Sequence, residues 1–360
     1  MTDNNKTRIV VGLSGGVDSS AAASLLVEQG YDVVGITLKV WPQDCVSRAE
    51  DKCCGPQAVM DARSVADKLD IPYYLVDESK EFQRDVIDYF AAEYKAGRTP
   101  NPCVMCNEKL KFGNLIDRAR KLGAEYVATG HYARLEHRDG RTVLLRGRDA
   151  RKDQTYFLFS LGQEQLAHMM FPLGELQKSE TREVARCVNL KTAEKQESQE
   201  ICFVPDKDYK KFLTTAGLVE EHRGEIVDTR GQVLGHHDGI EFYTIGQRKG
   251  LGISSPTPMY VIELDPKNNR VVVGREELLL RDEFRIDRCN WIAFDHLTKP
   301  IEASAAIRYN HPGTEATVIP GENGQATVKL REPQRAVTPG QACVFYQDDL
   351  VVGGGWIMRN

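Results

Sequence analysis

RIVVGLSGGVDSSAAASLLVEQGYDVVGITLKV, residues 8–40, runs from one apolar stretch through a glycine loop and a helix-length segment into a second apolar stretch. Continuous apolar runs without alternation mark strands buried on both faces. The order strand, loop, helix, strand therefore predicts a parallel sheet covered by helices. The helix ends where Gly30 can take the left-handed conformation that closes a last turn. The pattern continues with helices over PQAVMDARSVADKLD (56–70), EFQRDVIDYFAAEYKAG (81–97) and KFGNLIDRARKLG (111–123), and strands over IPYYLVD (71–77) and EYVATGHYARL (125–135). We read residues 1–208 as an open, doubly wound α/β domain with a parallel sheet. Short β-like runs between glycines make 209–274 a small β-rich domain, and regularly spaced strands make 275–360 a β-barrel.

Three parts agree with a length of 360 residues, too long for one core. No apolar run approaches the eighteen residues of a membrane span, so a soluble, cytoplasmic protein is expected. Nine cysteines are too few and odd in number for a disulfide scaffold, and are expected as thiols, ligands or catalysts. A net charge of −5 argues against non-specific nucleic-acid binding and leaves only local basic surfaces for RNA.

The loop Ser14-Gly15-Gly16-Val17-Asp18-Ser19-Ser20 follows a strand and opens a helix, where backbone N–H groups and the positive helix end hold phosphate. Without a Lys-Ser or Lys-Thr it is no Walker A loop, and its spacing is not that of a dinucleotide fingerprint. A glycine pair alone is an ordinary strand-to-helix turn. The full string SGGVDSS resembles the loop of the ATP pyrophosphatase superfamily, with its adenine-nucleotide α-hydrolase-like fold and its cleavage of ATP between the α and β phosphates. The resemblance implies ATP and Mg2+, with Gly12, Leu13, Ser14, Gly15, Gly16, Val17, Asp18 and Ser19 around the nucleotide. Asp18 would position magnesium or pyrophosphate, and Ser14 and Ser19 would bind phosphate oxygens. It also implies Leu38 near adenine and Gly130 as an ATP contact. His131, next to Gly130, reads equally as a site residue or a structural hydrogen-bonder.

TPNPCVMCNEKLKFG, residues 99–113, sets Cys103 and Cys106 three apart. Such a pair serves as half a zinc site, a redox couple, part of an iron-sulfur cage, or a nucleophile with an idle neighbour. Cys202 lies far along the chain in SQEICFVP. NPCVMCNEKLKFG, TGHYA, RKDQTYFL, ESQEICFVP and TIGQRKGLG, in this order behind SGGVDSS, are similar to the motifs of the tRNA 2-thiouridylase family. That resemblance implies ATP-dependent adenylation of the C2 oxygen of a wobble uridine, then its replacement by sulfur. It implies Cys202 as the persulfide carrier and Cys106 as the nucleophile that can pair with it in a disulfide. Asn101, Pro102 and Cys103 would face the base, and Lys152, Asp153 and Gln154 would touch tRNA. A barrel contact falls on Arg308 and Tyr309, with the basic turn at 246–250 as a further RNA-facing element. Partners would be tRNAs for Lys, Glu and Gln, and a sulfur-relay protein or cysteine desulfurase.

Here Cys103 stands where the family's usual motif has Asp, and a Cys replaces an acid or base only if its pKa is lowered. Cys103, Cys106 and Cys202 can alternatively ligate a [4Fe-4S] cluster whose open iron carries sulfide. Cys45, Cys53 and Cys54 read as thiols in a loop near the site, with a zinc site shared with the Cys103 pair as the alternative. Cys187, Cys289 and Cys343 sit in apolar runs and are expected as small buried residues. Two other readings stay open: a different ATP pyrophosphatase acting on a small molecule, and a cluster or zinc protein that only stores or relays sulfur. The run from Arg141 to Lys152, with five basic residues and one acidic, taken alone is a solvated face.

Overall fold

The computed structural model describes residues 6–40, 55–195, 201–204 and 208–359. Cys45, Cys53 and Cys54 lie outside the described residues, as does part of the motif that ends at Cys202. Among the described residues no helix is long and apolar enough to cross a membrane. The chain divides into two compact units: Met1–Val86 with Cys103–Pro205 and Asp348–Val351, and Ile87–Pro102 with Asp206–Gln347 and Val352–Asn360.

The first unit is built on β1 (Arg8–Gly12), α1 (Val17–Glu28), β2 (Asp32–Lys39), α2 (Pro56–Leu69) and β3 (Tyr73–Asp77). A helical run follows through α3 (Ser79–Phe82), a π-helical stretch Gln83–Asp88 and α4 (Tyr89–Lys95), the last of which belongs to the second unit. After α5 (Pro102–Met105) come a second π-helical stretch, Cys106–Asn114, and α6 (Leu115–Lys121). β4 (Tyr126–Ala128) then leads to β5 (Ala133–Arg138), β6 (Arg141–Arg146), α7 (Gln163–Ala167), β7 (Met169–Met170) and α8 (Lys178–Cys187). The parallel sheet has the order β3-β2-β1-β4-β7, doubly wound as expected, with the switch point between β1 and β4. Ile9, Val10 and Val11 are wholly buried, which accounts for the unbroken apolar run of β1.

The small residues of α1 answer to two packing surfaces. Ala23 and Leu26 join the cluster of Ile9, Val11 and Leu13, whereas Ala21 and Ala22 pack with Tyr132 and Leu173. Larger side chains would overfill the interior on either side.

Two local expectations differ from the structure. Residues 125–135 are not one strand: β4 ends at Ala128, and β5 starts a separate hairpin with β6. Asp139 (φ 49°) and Gly140 (φ 77°) make its two-residue turn, the left-handed pair that suits strand twist. The basic run from Arg141 is therefore a strand in its first half, with Val143, Leu144 and Leu145 buried. Of the three cysteines expected to be buried, Cys343 is, Cys289 is half-buried, and Cys187, at the exposed end of α8, is not.

In the second unit, Asp208 caps α9 (Tyr209–Thr215) through the Lys211 N–H. Tyr209 stacks on Tyr94 of α4 at 4.7 Å. A four-stranded sheet has the order β10-β11-β8-β9, from β8 (Gly224–Val227), β9 (Val233–His237), β10 (Tyr260–Asp265) and β11 (Arg270–Gly274). A closed barrel follows from β12 (Leu280–Trp291), β13 (Ile301–Ala306), β14 (Thr314–Pro320), β15 (Ala326–Arg335), β16 (Ala342–Gln347) and β17 (Leu350–Ile357). Pairing of β12 with β17 closes it around Phe284, Ile286, Val318, Val328 and Phe345. Gln341 donates to the carbonyls of Thr99 and Pro100 at 3.0 and 3.1 Å, tying down the proline-rich stretch that leads to the first cysteine pair.

Candidate active site

The loop after β1 is held by both of its flanks. The Leu13 N–H donates to the Ile36 carbonyl at 2.8 Å, and the Thr37 hydroxyl donates to the Leu13 carbonyl at 2.6 Å. Gly15 has φ +69°, and a Cβ there would lie 2.2 Å from the Ala58 carbonyl oxygen, so both conformation and space demand glycine. The Ser14 N–H donates to Ser19 Oγ at 3.1 Å, and the Ser20 hydroxyl donates to the Gly16 carbonyl at 2.8 Å. These hydroxyls shape the loop over the N-terminus of α1, the end that attracts anions. Gly130, just past β4, has no room for a side chain either: its Cβ would come within 2.6 Å of the Asp18 carbonyl carbon and the Ser19 nitrogen. Gly12, the loop and Gly130 thus gather at the carboxyl edge of the sheet, at its switch point. Half-buried Leu38 is next to last in β2, at the same edge.

Asp18 is the charged centre of this edge. Its Oδ1 accepts from Lys178 Nζ at 2.5 Å and from the Tyr132 hydroxyl at 3.0 Å. Sequence reasoning missed both partners, because Lys178 comes from 160 residues away. A signal existed: Lys178 opens α8, and a cation in a first helical turn faces the unfavourable end of the dipole. Lys195 was missed as well. It donates to the Gly15 carbonyl at 3.0 Å and to Asp61 at 2.6 Å, clamping the loop against α2.

The cysteines occupy helix starts and a turn. Cys103 lies in α5 and Cys106 begins the π-helical stretch, a wide helix form often found at functional sites. Both are half-buried, whereas Asn101 is 7% exposed and Pro102 is buried. Burial pushes the Cys103 thiol up to about 11, and the nearby Cys106 adds to the shift. That direction is opposite to the lowered pKa that a stand-in for Asp would need. Cys202 is half-buried in a turn anchored by Phe203 and Val204, each 3% exposed. Phe203 meets Phe82 edge-on at 5.7 Å. Among the described residues no three His, Cys, Asp or Glu side chains gather as metal ligands.

Asn107, beside Cys106, is 3% exposed and donates to the Phe157 carbonyl at 3.1 Å. That bond joins the π-helical stretch to the segment just after Lys152-Asp153-Gln154. Asp153 is turned inward, accepting from the Thr155 hydroxyl, the Gly147 N–H and Arg146. Gln154 brackets Tyr132: its Oε1 accepts the Tyr132 N–H, and its own N–H donates to the Tyr132 carbonyl, both at 3.0 Å. His131 is buried beside Phe112 and Phe171, with Nδ1 2.8 Å from the Thr129 hydroxyl. Burial holds its pKa well below the usual range, so it is a neutral packing residue. In the second unit, Arg308 and Tyr309 are exposed after β13, and Arg308 donates to the Arg335 carbonyl at 3.4 Å.

Comparison with known proteins gives a consistent result. A family model described as the tRNA methyl transferase HUP domain matches residues 7–206. The tRNA methyl transferase PRC-barrel domain matches 210–275, and the aminomethyltransferase beta-barrel domain matches 281–357. A protein of Clostridium perfringens named tRNA-specific 2-thiouridylase MnmA is 50% identical over 353 residues, covering 98% of each chain. Proteins of the same name from Moorella thermoacetica (51% identical, 97% of this chain and 98% of the other) and Geobacter metallireducens (50%, 99% and 98%) are similar over the same extent.

Proposed function

Since the chain belongs to the tRNA-specific 2-thiouridylase family, we propose that it is an ATP-dependent sulfurtransferase that converts a uridine of tRNA to 2-thiouridine. The observation that carries this reading is the Ser14–Ser20 loop at the sheet's switch point, with Asp18 held by Lys178 and Tyr132. Methyl transfer, the wording of two family models, does not need a loop of this kind. Replacing a carbonyl oxygen by sulfur does, because that oxygen is a poor leaving group until adenylated.

In this reading the loop N–H groups, Ser14 and Ser19 grip the phosphates of ATP, and Asp18 would hold its magnesium. Gly12, Leu13, Leu38 and Gly130 line the nucleotide. The C2 oxygen of the wobble uridine attacks the α-phosphorus and pyrophosphate leaves. Cys202 carries a persulfide, delivered by a sulfur-relay protein or a cysteine desulfurase, and its terminal sulfur attacks C2. The Cys106 thiolate attacks Sγ of Cys202, the old sulfur–sulfur bond breaks with its electron pair going to the sulfur on the base, and AMP departs. A Cys106–Cys202 disulfide remains, and a thiol reductant reopens it. No step needs iron or a third cysteine.

The tRNAs for Lys, Glu and Gln are the proposed substrates. Residues 1–208 carry catalysis, while 209–274 and 275–360 grip the RNA, the latter through Arg308 and Tyr309. The Asn101-Pro102-Cys103 turn meets the base through Cys103 and main chain, since the first two side chains are buried. Lys152 and Gln154 contact the RNA, and Asp153 shapes their turn.

Deletion in cells tests the reading. Nucleoside mass spectrometry of tRNA should show loss of wobble 2-thiouridine, restored by the wild-type chain but not by Cys202→Ala or Cys106→Ala. Unchanged 2-thiouridine in the deletion strain would refute it.

A further inference from the structure

Tyr132 is 2% exposed, yet both its ends make polar contacts. Its hydroxyl lies 3.0 Å from Asp18 Oδ1 and 2.9 Å from Thr181 Oγ1. A carboxylate is the stronger acceptor, so the phenolic proton goes chiefly to Asp18, and the Thr181 hydroxyl also lies 3.3 Å from the Gln177 carbonyl, to which it donates. The ring is wedged against Ala21 and Ala22 of α1 and against Leu173, and Lys178 Nζ stands 5.6 Å from its centroid. The same side chain therefore touches the loop aspartate and that aspartate's lysine.

At the main chain, Tyr132 is clasped by both hydrogen bonds of Gln154. That clasp is stiff, because the preceding Asp153 is locked by Thr155, Gly147 and Arg146. A Cβ on Gly147 would lie 2.9 Å from the Tyr132 carbonyl oxygen, so there is no slack on this side either. A close-packed side chain with hydrogen bonds at both ends transmits a displacement rather than absorbing it.

We propose that Tyr132 is the positioning residue through which RNA engaged at Lys152–Gln154 sets Asp18 for the attack on the α-phosphorus of ATP. The proposal rests on the reading that this segment contacts tRNA and that Asp18 serves the ATP step. Tyr132 touches neither substrate; it acts through Asp18.

The test uses the full-length protein with ATP and an acceptor tRNA, measuring pyrophosphate release with and without saturating tRNA. Tyr132→Phe keeps the ring and deletes the hydroxyl. The tRNA-stimulated kcat should fall roughly 10- to 100-fold, the span expected for a lost hydrogen bond to a charged group. The tRNA Kd, by filter binding, should stay within about twofold, since the hydroxyl is buried away from RNA. A purely structural role would lower the melting temperature and leave kcat at saturating tRNA unchanged in the folded enzyme. Adding Tyr132→Phe to Gln154→Ala should cost less than about twofold more, because both break one path, whereas independent effects would multiply.

If wild type releases pyrophosphate with tRNA and Tyr132→Phe is stimulated equally, this positioning role is refuted while the thiolation reading stands. If wild type shows no tRNA-dependent release, both fall together. Should Tyr132→Phe fold poorly, Gln154→Ala carries the same test from the other end: wild-type stimulated kcat at saturating tRNA overturns the proposal.

Discussion

At the scale of single residues, the site is governed by atoms that are missing as much as by atoms present. Gly130 exists because the start of α1 passes where its Cβ would be. Gly130→Ala must push Asp18 and Ser19 aside, and a displacement of about 1 Å at a reacting centre can cost roughly 100-fold in rate. We expect at least that loss in tRNA-dependent pyrophosphate release. Gly30 is the control: its φ is +87°, but nothing lies within 4 Å of a Cβ there. Gly30→Ala should cost only the left-handed strain of about 1–2 kcal/mol, seen in thermal melts, with the rate retained. Equal rate losses in the two variants would sink the steric argument. Cys103 gives a second prediction at this scale. With its thiol pushed up to about 11, alkylation followed by peptide mass spectrometry should rise about tenfold per pH unit from 7 toward that value. A plateau near pH 8 would mean that Cys103 is an activated thiol.

At the scale of elements, two turns in the second unit share one device. His237 Nδ1 accepts the Gly239 N–H and His311 Nδ1 accepts the Gly313 N–H, each at 3.1 Å. The other ring nitrogens face the Asn269 carbonyl at 3.2 Å and Gln334 Oε1 at 3.0 Å. Each imidazole thus accepts at one nitrogen and donates at the other, which requires the neutral form. Burial lowers both pKa values below the ordinary 6.5. The unfolded chain then takes up its protons first as pH falls, so stability is complete above about 6.5 and declines below it. Melting followed by the fluorescence of Trp291 and Trp356 should shift down by a few degrees between pH 7 and pH 5, at about 2–4 °C per kcal/mol. The His237→Asn, His311→Asn double variant should flatten that slope; a slope that survives the double substitution would assign it elsewhere. The element scale also shows what the sequence made legible. The parallel sheet was readable because unbroken apolar runs have one physical meaning, burial on both faces. The break at Ala128 was not, because ATGHYARL keeps a strand-like texture while Gly130 and His131 leave the sheet to serve a contact with α1 and a buried aromatic pocket.

At the scale of the whole molecule, local motifs were legible and long-range partners were not. SGGVDSS announces an anion loop by itself, but nothing near it in the chain names Lys178, Tyr132 or Lys195 as the groups that hold it. Charge behaves the same way: a net −5 hides the basic residues that must meet RNA. An acidic body repels a polyanion at long range, so affinity must come from a few close phosphate contacts, each adding about 0.7–0.9 to the slope of log Kd against log salt. Lys152 belongs to one compact unit and Arg308 to the other. If both units grip one tRNA, Lys152→Ala and Arg308→Ala should each weaken binding and each lower the slope by a little under one. The double variant should lower it by the sum, because counterion release is counted per contact. Filter binding from 50 to 300 mM salt measures this. An Arg308→Ala slope equal to wild type would remove the barrel from the RNA-binding surface and leave recognition to the α/β unit alone.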